Sequence, residues 1–182
     1  MRRMERWALV AVAGLVLAGC ATIDVGSYVG RSVDFATYRT YDWGPADALP
    51  TGDPRLDNNS FFKDHFEGAV EKELAARGYP RATTAAPDLL IHYHATINRR
   101  LDIDAIDRQY GYCPPAGCEP RVVAYDAGTL LLDIVDARTH RLLWRGWAQQ
   151  SMDGVIGDQD RLERQVNEAV ARMLERLPRK IS

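Results

Sequence analysis

The sequence predicts a single α+β domain: a mostly antiparallel sheet of about five strands with two amphipathic helices packed on one face. Three observations carry this reading. Apolar residues recur at helical spacing in only two stretches, roughly 60–77 and 159–177. Several shorter stretches alternate apolar and polar residues, as half-buried strands do. The order is β-β-α-β-(long loop)-β-β-α, which segregates helices from hairpins rather than alternating them strictly. A chain of 182 residues with 46% hydrophobic content supports one domain with a real core.

The elements follow in order. Ile23, Val25 and Tyr28 lie among polar residues in 21–29 and predict a first strand. Asp34 to Tyr38 reads as a turn-like connector, and Arg39 to Trp43, rich in aromatic and β-branched types, as a second extended segment. Gly44 to Pro54 is a Gly/Pro-rich loop. The first helix spans roughly Ser60 to Arg77, with Phe62, Phe66, Ala69, Val70 and Leu74 on one stripe. Asn58 or Asn59 caps its start, and Gly78 supplies the left-handed residue at its end.

Pro87 to Ile97 predicts a strand. Leu89, Ile91, Tyr93, Ala95 and Ile97 share one face, and Leu90, His92, His94 and Thr96 share the other. Residues 99–127 show no period and read as a long loop. Gly128 to Asp136 and Arg141 to Met152 form a hairpin. Its second strand places Leu142, Trp144, Gly146 and Ala148 on one face, with Leu143, Arg145, Trp147 and Gln149 on the other. The last helix, about Gln159 to Leu177, carries Leu162, Val166, Ala169, Val170, Met173, Leu174 and Leu177 on one stripe, capped by Asp158 or Asp160 and stopped by Pro178.

Ahead of this domain stand Arg2, Arg3 and Arg6, an apolar run from Ala8 to Leu17, and Leu17-Ala18-Gly19-Cys20. That order of charge, apolar run and small residues is a secretory signal, and the run is half the length needed to span a bilayer. The four residues ending at Cys20 resemble the lipobox of bacterial lipoproteins. Residues 1–19 are then a cleaved signal peptide, 20–182 the mature domain, and Cys20 the lipidated N-terminus, acylated through its thiol and its new amino group. Two or three acyl chains anchor firmly where one does not. By the same resemblance Ala21, in place of Asp, favours the outer membrane with the domain facing the periplasm; the inner membrane is the alternative.

The formal net charge is −2, and removing the arginines of the leader leaves the rest more acidic. No basic run appears, so nucleic acid is disfavoured as a partner and so is attraction to an anionic headgroup layer. Of three cysteines, Cys113 and Cys118 remain once Cys20 is assigned to lipid. In an oxidising compartment this pair reads as a disulfide pinning the long loop. A redox-active pair normally has two intervening residues and a following helix; neither feature is here.

Four stretches together resemble the DUF4136 family of bacterial lipoproteins. They are Asp34-Phe35-Ala36-Thr37-Tyr38-Arg39-Thr40-Tyr41-Asp42-Trp43, Leu74-Ala75-Ala76-Arg77-Gly78-Tyr79, Pro87-Asp88-Leu89-Leu90-Ile91-His92-Tyr93, and Gly128-Thr129-Leu130 through Leu143-Trp144-Arg145-Gly146. The resemblance implies an α+β envelope lipoprotein and supplies no activity, cofactor or catalytic residue. The loop with its cysteine pair lies outside these motifs.

Candidate chemistry is sparse. His92 and His94 have the spacing of two metal ligands on a strand, without a third evident. Ser27, Ser32, Ser60 and Ser151 lack a nucleophile-elbow context. Asp102, Asp104 and Asp107 alternate with apolar residues as a surface segment does, and the calcium-loop pattern is missing. No catalytic residue is assigned and no cofactor is expected. Trp147 and Arg145, with Tyr110 and Tyr112 of the loop, have the composition of a partner-contact patch. The sequence therefore points to a non-enzymatic accessory or scaffold of the cell envelope that binds another envelope component; the alternative is a small-ligand or lipid-binding module.

Overall fold

The computed structural model describes residues 23–44, 53–57, 59–101 and 124–179. Cys20 with the leader, the Cys113–Cys118 pair, Tyr110, Tyr112 and the Asp102–Asp107 cluster lie outside the described residues. Five strands form one sheet: β1 (Asp24–Val29), β2 (Tyr41–Trp43), β3 (Leu89–Leu101), β4 (Ala124–Asp136) and β5 (Leu142–Ser151). Their spatial order is β1-β5-β4-β3-β2. β1, β5, β4 and β3 pair antiparallel in turn, while β2 lies parallel to β3. A parallel pair needs a long crossover. Here it holds α1 (Pro54–Asp57) and α2 (Ser60–Ala76). The last helix, α3, spans Gln159–Leu174.

The helices form where their stripes predict. All five predicted α2 residues are buried, as are all seven of the α3 stripe including Leu177 just past its end. Asn59 and Asp158 are the caps, accepting from Phe62 N and Arg161 N at 3.0 Å each. Gly78 takes φ 82° at the α2 terminus, where a Cβ would be strained. Both helices cover one sheet face, built of Ile91, Ala95, Ile97, Leu132, Ile134, Trp144 and Ala148. Each large apolar side chain buried there contributes about 1.5–3 kcal/mol. Among the described residues no helix is long and apolar enough to cross a membrane.

Four features depart from the sequence reading. First, the long loop is shorter at both ends. β3 runs on to Leu101 and β4 begins at Ala124, with Arg99 opposite Asp126 and Arg100 opposite Tyr125. Asn98, Arg99 and Arg100 are exposed, so the ladder's hydrogen bonds rather than burial extend these strands, and no alternation marks them. Second, β5 carries a bulge. Ile134 faces Trp144 and Val135 faces Leu142, leaving Leu143 as the extra residue. Leu143, expected on the outer face, is fully buried in the core, and its carbonyl accepts from Gly30 N at 2.7 Å. Third, the second strand starts at Tyr41, because Arg39 N and Thr40 N donate instead to the Asp88 carboxylate at 2.7 and 3.1 Å. α1 was not expected; the Asp53 carboxylate caps it by accepting from Arg55 N at 2.8 Å.

Candidate functional site

Side chains of the uncovered sheet face stand in cross-strand rows. One row runs His92, Asp133, Arg145, Tyr28 across β3, β4, β5 and β1; the next runs His94, Leu131, Trp147, Gly26. Arg145 grips Asp133 through two bonds, Nε to Oδ1 and a terminal nitrogen to Oδ2, both 2.6 Å. Two parallel charge-assisted bonds of this length fix both side chains in direction. The two partners differ in solvation: Asp133 is only 8% exposed, whereas the Arg145 side chain is 42% exposed. The ion pair therefore presents its cation outward and keeps its anion covered.

Trp147 lies flat across Gly26 of the neighbouring strand. A Cβ on Gly26 would overlap the indole ring, so the glycine is what lets the ring lie down. The indole remains 37% exposed and Tyr28, two residues further along β1, is 51% exposed. Arg145, Trp147 and Tyr28 thus form one aromatic and cationic patch. The sequence reading placed Arg145 and Trp147 together, as the structure does. It missed Tyr28, which arrives only through the long-range pairing of β1 with β5.

His92 and His94 share the uncovered face as their spacing predicts. The His92 ring packs against Gly44, where a Cβ would overlap it. Among the described residues no group of three His, Cys, Asp or Glu side chains is arranged to hold a metal ion. His65 lies on α2, stacked on Phe61 with ring centroids 3.9 Å apart, and His140 takes φ 56° in the β4–β5 turn. The four histidines are not brought together.

On the covered side, between the helices and the end of the sheet marked by Ile97, Gly128 and Gln150, lies a cavity of about 20 Å³ of water-accessible space. Phe62, Ile97, Met152, Leu162 and Val166 wall it, and Gln150 and Gln165 line it too. Gln150 is 8% exposed; its Nε2 donates to the Gln165 carbonyl at 3.5 Å. The Oε1 atoms of both glutamines are buried and have no protein hydrogen-bond partner among the described residues. Such an acceptor is costly to bury unless a donor reaches it. The sequence contained a signal for Gln150: it continues the inward parity of Trp144, Gly146 and Ala148.

The residues that carried the family resemblance are absorbed by structure. Asp34 caps a short 3₁₀ turn (Phe35–Thr37), Phe35 enters the core, and the Tyr38 hydroxyl donates to Asp136 at 3.0 Å. The Tyr79 hydroxyl donates to the Phe35 carbonyl at 3.2 Å. Gly146 leaves room for Trp144 and Met173, and Gly128 for Met152. Titration is displaced for structural reasons as well. Burial pushes the Tyr41 hydroxyl up to about 12 and raises Tyr93. Backbone donation from Thr139 holds Asp136 below the usual carboxylate range, and the Arg55 guanidinium does the same for Asp53.

Comparison with known proteins agrees with this picture. The family described as Domain of unknown function (DUF4136) matches residues 25–179. A crystal structure of a PDZ domain protein from Parabacteroides distasonis ATCC 8503 shares the fold at a TM-score of 0.54 and 18% identity, covering 86% of this chain. This chain spans 36% of that protein's length. Two crystal forms of a PelC dodecamer from Paraburkholderia phytofirmans align at TM-scores of 0.47 and 0.46, with 10% and 11% identity. They cover 84% of this chain and 95% and 96% of theirs. Among curated proteins nothing matches.

Proposed function

The chain belongs to the DUF4136 family, and on that premise we propose that it is a lipid-anchored protein of the cell envelope, held by Cys20 in the outer membrane and facing the periplasm. The observation that carries this reading is the position of the lipobox. Leu17-Ala18-Gly19-Cys20 ends three residues before Ile23, the first buried residue of the domain. A cleaved, acylated chain would pass from its anchor into the fold almost without a linker.

The role is that of a non-enzymatic accessory that captures another envelope component on the uncovered sheet face. Arg145, Trp147 and Tyr28 supply an aromatic-cationic patch of the kind enriched at binding hot spots. Tyr110, Tyr112 and the Cys113–Cys118 pair, outside the described residues, are included in the proposed contact on their composition alone. The residues that carry the family resemblance cap turns, fill the core and make room for neighbours.

In-cell crosslinking of the full-length protein, followed by capture, tests both parts. Wild type should yield acylated Cys20 and one dominant partner. Cys20→Ala should lose the acyl mass and the partner; Trp147→Ala should lose the partner and keep the acyl mass. An unacylated wild-type protein would sink the anchor, and capture unaffected by Trp147→Ala together with Tyr110→Ala and Tyr112→Ala would sink the binding face.

The Gln150–Gln165 cavity favours a second reading, a small-ligand module. Its apolar walls carry two acceptors with no protein donor among the described residues, and its present space of about 20 Å³ suits a single water, so a hydroxyl-bearing ligand requires the helices to part from the sheet. Native mass spectrometry of the folded domain tests it: a retained mass supports this reading, and a bare chain across gentle conditions removes it.

A further inference from the structure

We propose that one end of the domain, the end where β1 begins, is laid on the anionic headgroups of the bilayer, with Arg99, Arg100 and Arg176 in contact with lipid phosphates. The proposal rests on lipid attachment at Cys20 and deepens that reading by saying which surface meets the membrane.

Topology brings several termini to this end. β1 starts there at Asp24, which pairs with Gln149 near the end of β5. Gln149 faces Thr129 and Thr129 faces Thr96, so these four residues mark one level across the sheet. Past that level β3 and β4 run on together, Ile97–Leu101 against Ala124–Gly128; β5 stays alongside as far as Ser151 opposite Ala127, and beyond it the two strands form an arm. At about 3.3 Å per residue the arm projects roughly 16 Å beyond Asp24. The segment from Cys20 to Asp24 reaches roughly 14 Å at full extension. The anchor cannot outreach the arm. When the acyl chains sit in the bilayer and the tether runs toward the arm, the arm's outer residues come to the headgroup layer. The β4–β5 turn, by contrast, lies past the far end of β1, beyond the tether's reach.

Charge agrees with this placement. Arg99 and Arg100 are exposed on the arm, and neither is ion-paired among the described residues. On the other side of the tether root, Arg172 and Arg176 line an open cleft with Glu175, Ile23, Asp24 and Val25. Arg172 is paired with Glu168 at 2.7 Å, which leaves Arg176 as the cation available to a phosphate. The chain's acidic balance gives no long-range attraction, since exposed charges are screened within about 10 Å in salt. The tether removes that need by holding these arginines at the surface already.

The test uses the full-length lipoprotein purified from cells and reconstituted into phosphatidylethanolamine–phosphatidylglycerol vesicles with a headgroup-attached quencher. A noncanonical residue carrying a small fluorophore replaces Arg100 in one sample and Arg138, in the distal turn, in another. Quenching at position 100 should exceed that at position 138 by severalfold, and Arg99→Gln with Arg176→Gln should reduce the excess by half or more. Equal quenching at the two positions, or stronger quenching at 138, overturns the orientation; an excess untouched by the substitutions overturns the arginine contact. Flotation with the vesicles and the acyl mass on Cys20 are read from the same samples. Their loss refutes the anchor itself and is thereby distinguished from a wrongly assigned face.

Discussion

The two faces of this sheet were shaped by different demands. Under the helices, Ile91, Ala95, Leu132, Ile134, Trp144 and Ala148 are buried almost completely against α2 and α3, and chemistry is subordinate to volume. On the other face the same strands present His92, His94, Arg145 and Trp147, partly exposed and polar or aromatic, around a buried Asp133. One backbone thus carries a packed interior and a chemically specific surface one residue out of phase with nothing between them. A change on the first face should be felt as stability, and a change on the second chiefly as recognition.

The sharpest way to break that distinction is at Gly146, on the covered face. A Cβ there would overlap Trp144 and Met173, both fully buried. Overpacking a well-filled core costs about 1–3 kcal/mol. Gly146→Val should lie at or above the top of that range, seen as a lower midpoint in urea unfolding. Gly26→Ala makes the matching overlap on the other face, but its obstacle, Trp147, is exposed and free to swing away. It should cost well under half as much. Equal costs at the two glycines would erase the distinction between the faces.

The next prediction concerns the one ion pair that belongs to both worlds. Removing one member of a buried pair is costly because the other is left charged and unpaired, about 3–5 kcal/mol when both are inaccessible. Here only Asp133 is covered. Arg145→Ala strands the carboxylate and should cost about 2 kcal/mol, the figure reduced because solvent reaches the site once the guanidinium is gone. Asp133→Ala leaves a guanidinium that already touches water and should cost about half of that. The reverse order in thermal or urea unfolding would mean that Arg145, not Asp133, is the desolvated partner.

These contrasts also explain what could be read in advance. The stripes of α2 and α3 were legible because burial at a 3.6-residue period writes itself into composition, and Asn59 and Asp158 mark the starts. The uncovered face was legible only in part. Arg145 and Trp147 share strand parity, which sequence supplies; Asp133 and Tyr28 join them through hairpin register and through the pairing of β1 with β5, which sequence does not. Leu143 was misplaced because one extra residue in β5 inverts local parity, and a bulge has no compositional mark here. The arm escaped notice because Asn98, Arg99 and Arg100 are exposed, so no alternation distinguishes a strand from a loop.

Gln150 sits where the covered face is least consistent with its neighbours, and it gives a smaller, signed test. Its Oε1 is buried without a protein donor. An unsatisfied buried acceptor costs about 1–3 kcal/mol. If nothing donates to it, Gln150→Leu should stabilise the domain by about 1 kcal/mol, after the lost bond from Nε2 to the Gln165 carbonyl is counted. If the substitution destabilises instead, a bound donor is using the oxygen, and the cavity of about 20 Å³ suits a water in that role.

The smallest expected effect lies at the distal turn and is a matter of pH. Asp136 accepts from Thr139 N at 2.7 Å, Arg138 N at 3.0 Å and the Tyr38 hydroxyl at 3.0 Å. These donors favour the ionised carboxylate and hold its titration below the ordinary value of 3.8. For a carboxyl depressed in the folded state, the stabilisation is fully present above the unfolded value and is lost as pH falls through the folded one. Asp53 is depressed in the same sense by Arg55. Stability should therefore be flat from neutral pH down to about 4 and then decline, with Asp136→Asn shallowing the decline slightly. The pair Asp136 and Tyr38 ties the β4–β5 turn to the 3₁₀ turn beside β2, far from the arm. A decline that left amide exchange in the arm unchanged while that turn opened would separate the two ends of the sheet as cleanly as Gly146 and Gly26 separate its faces.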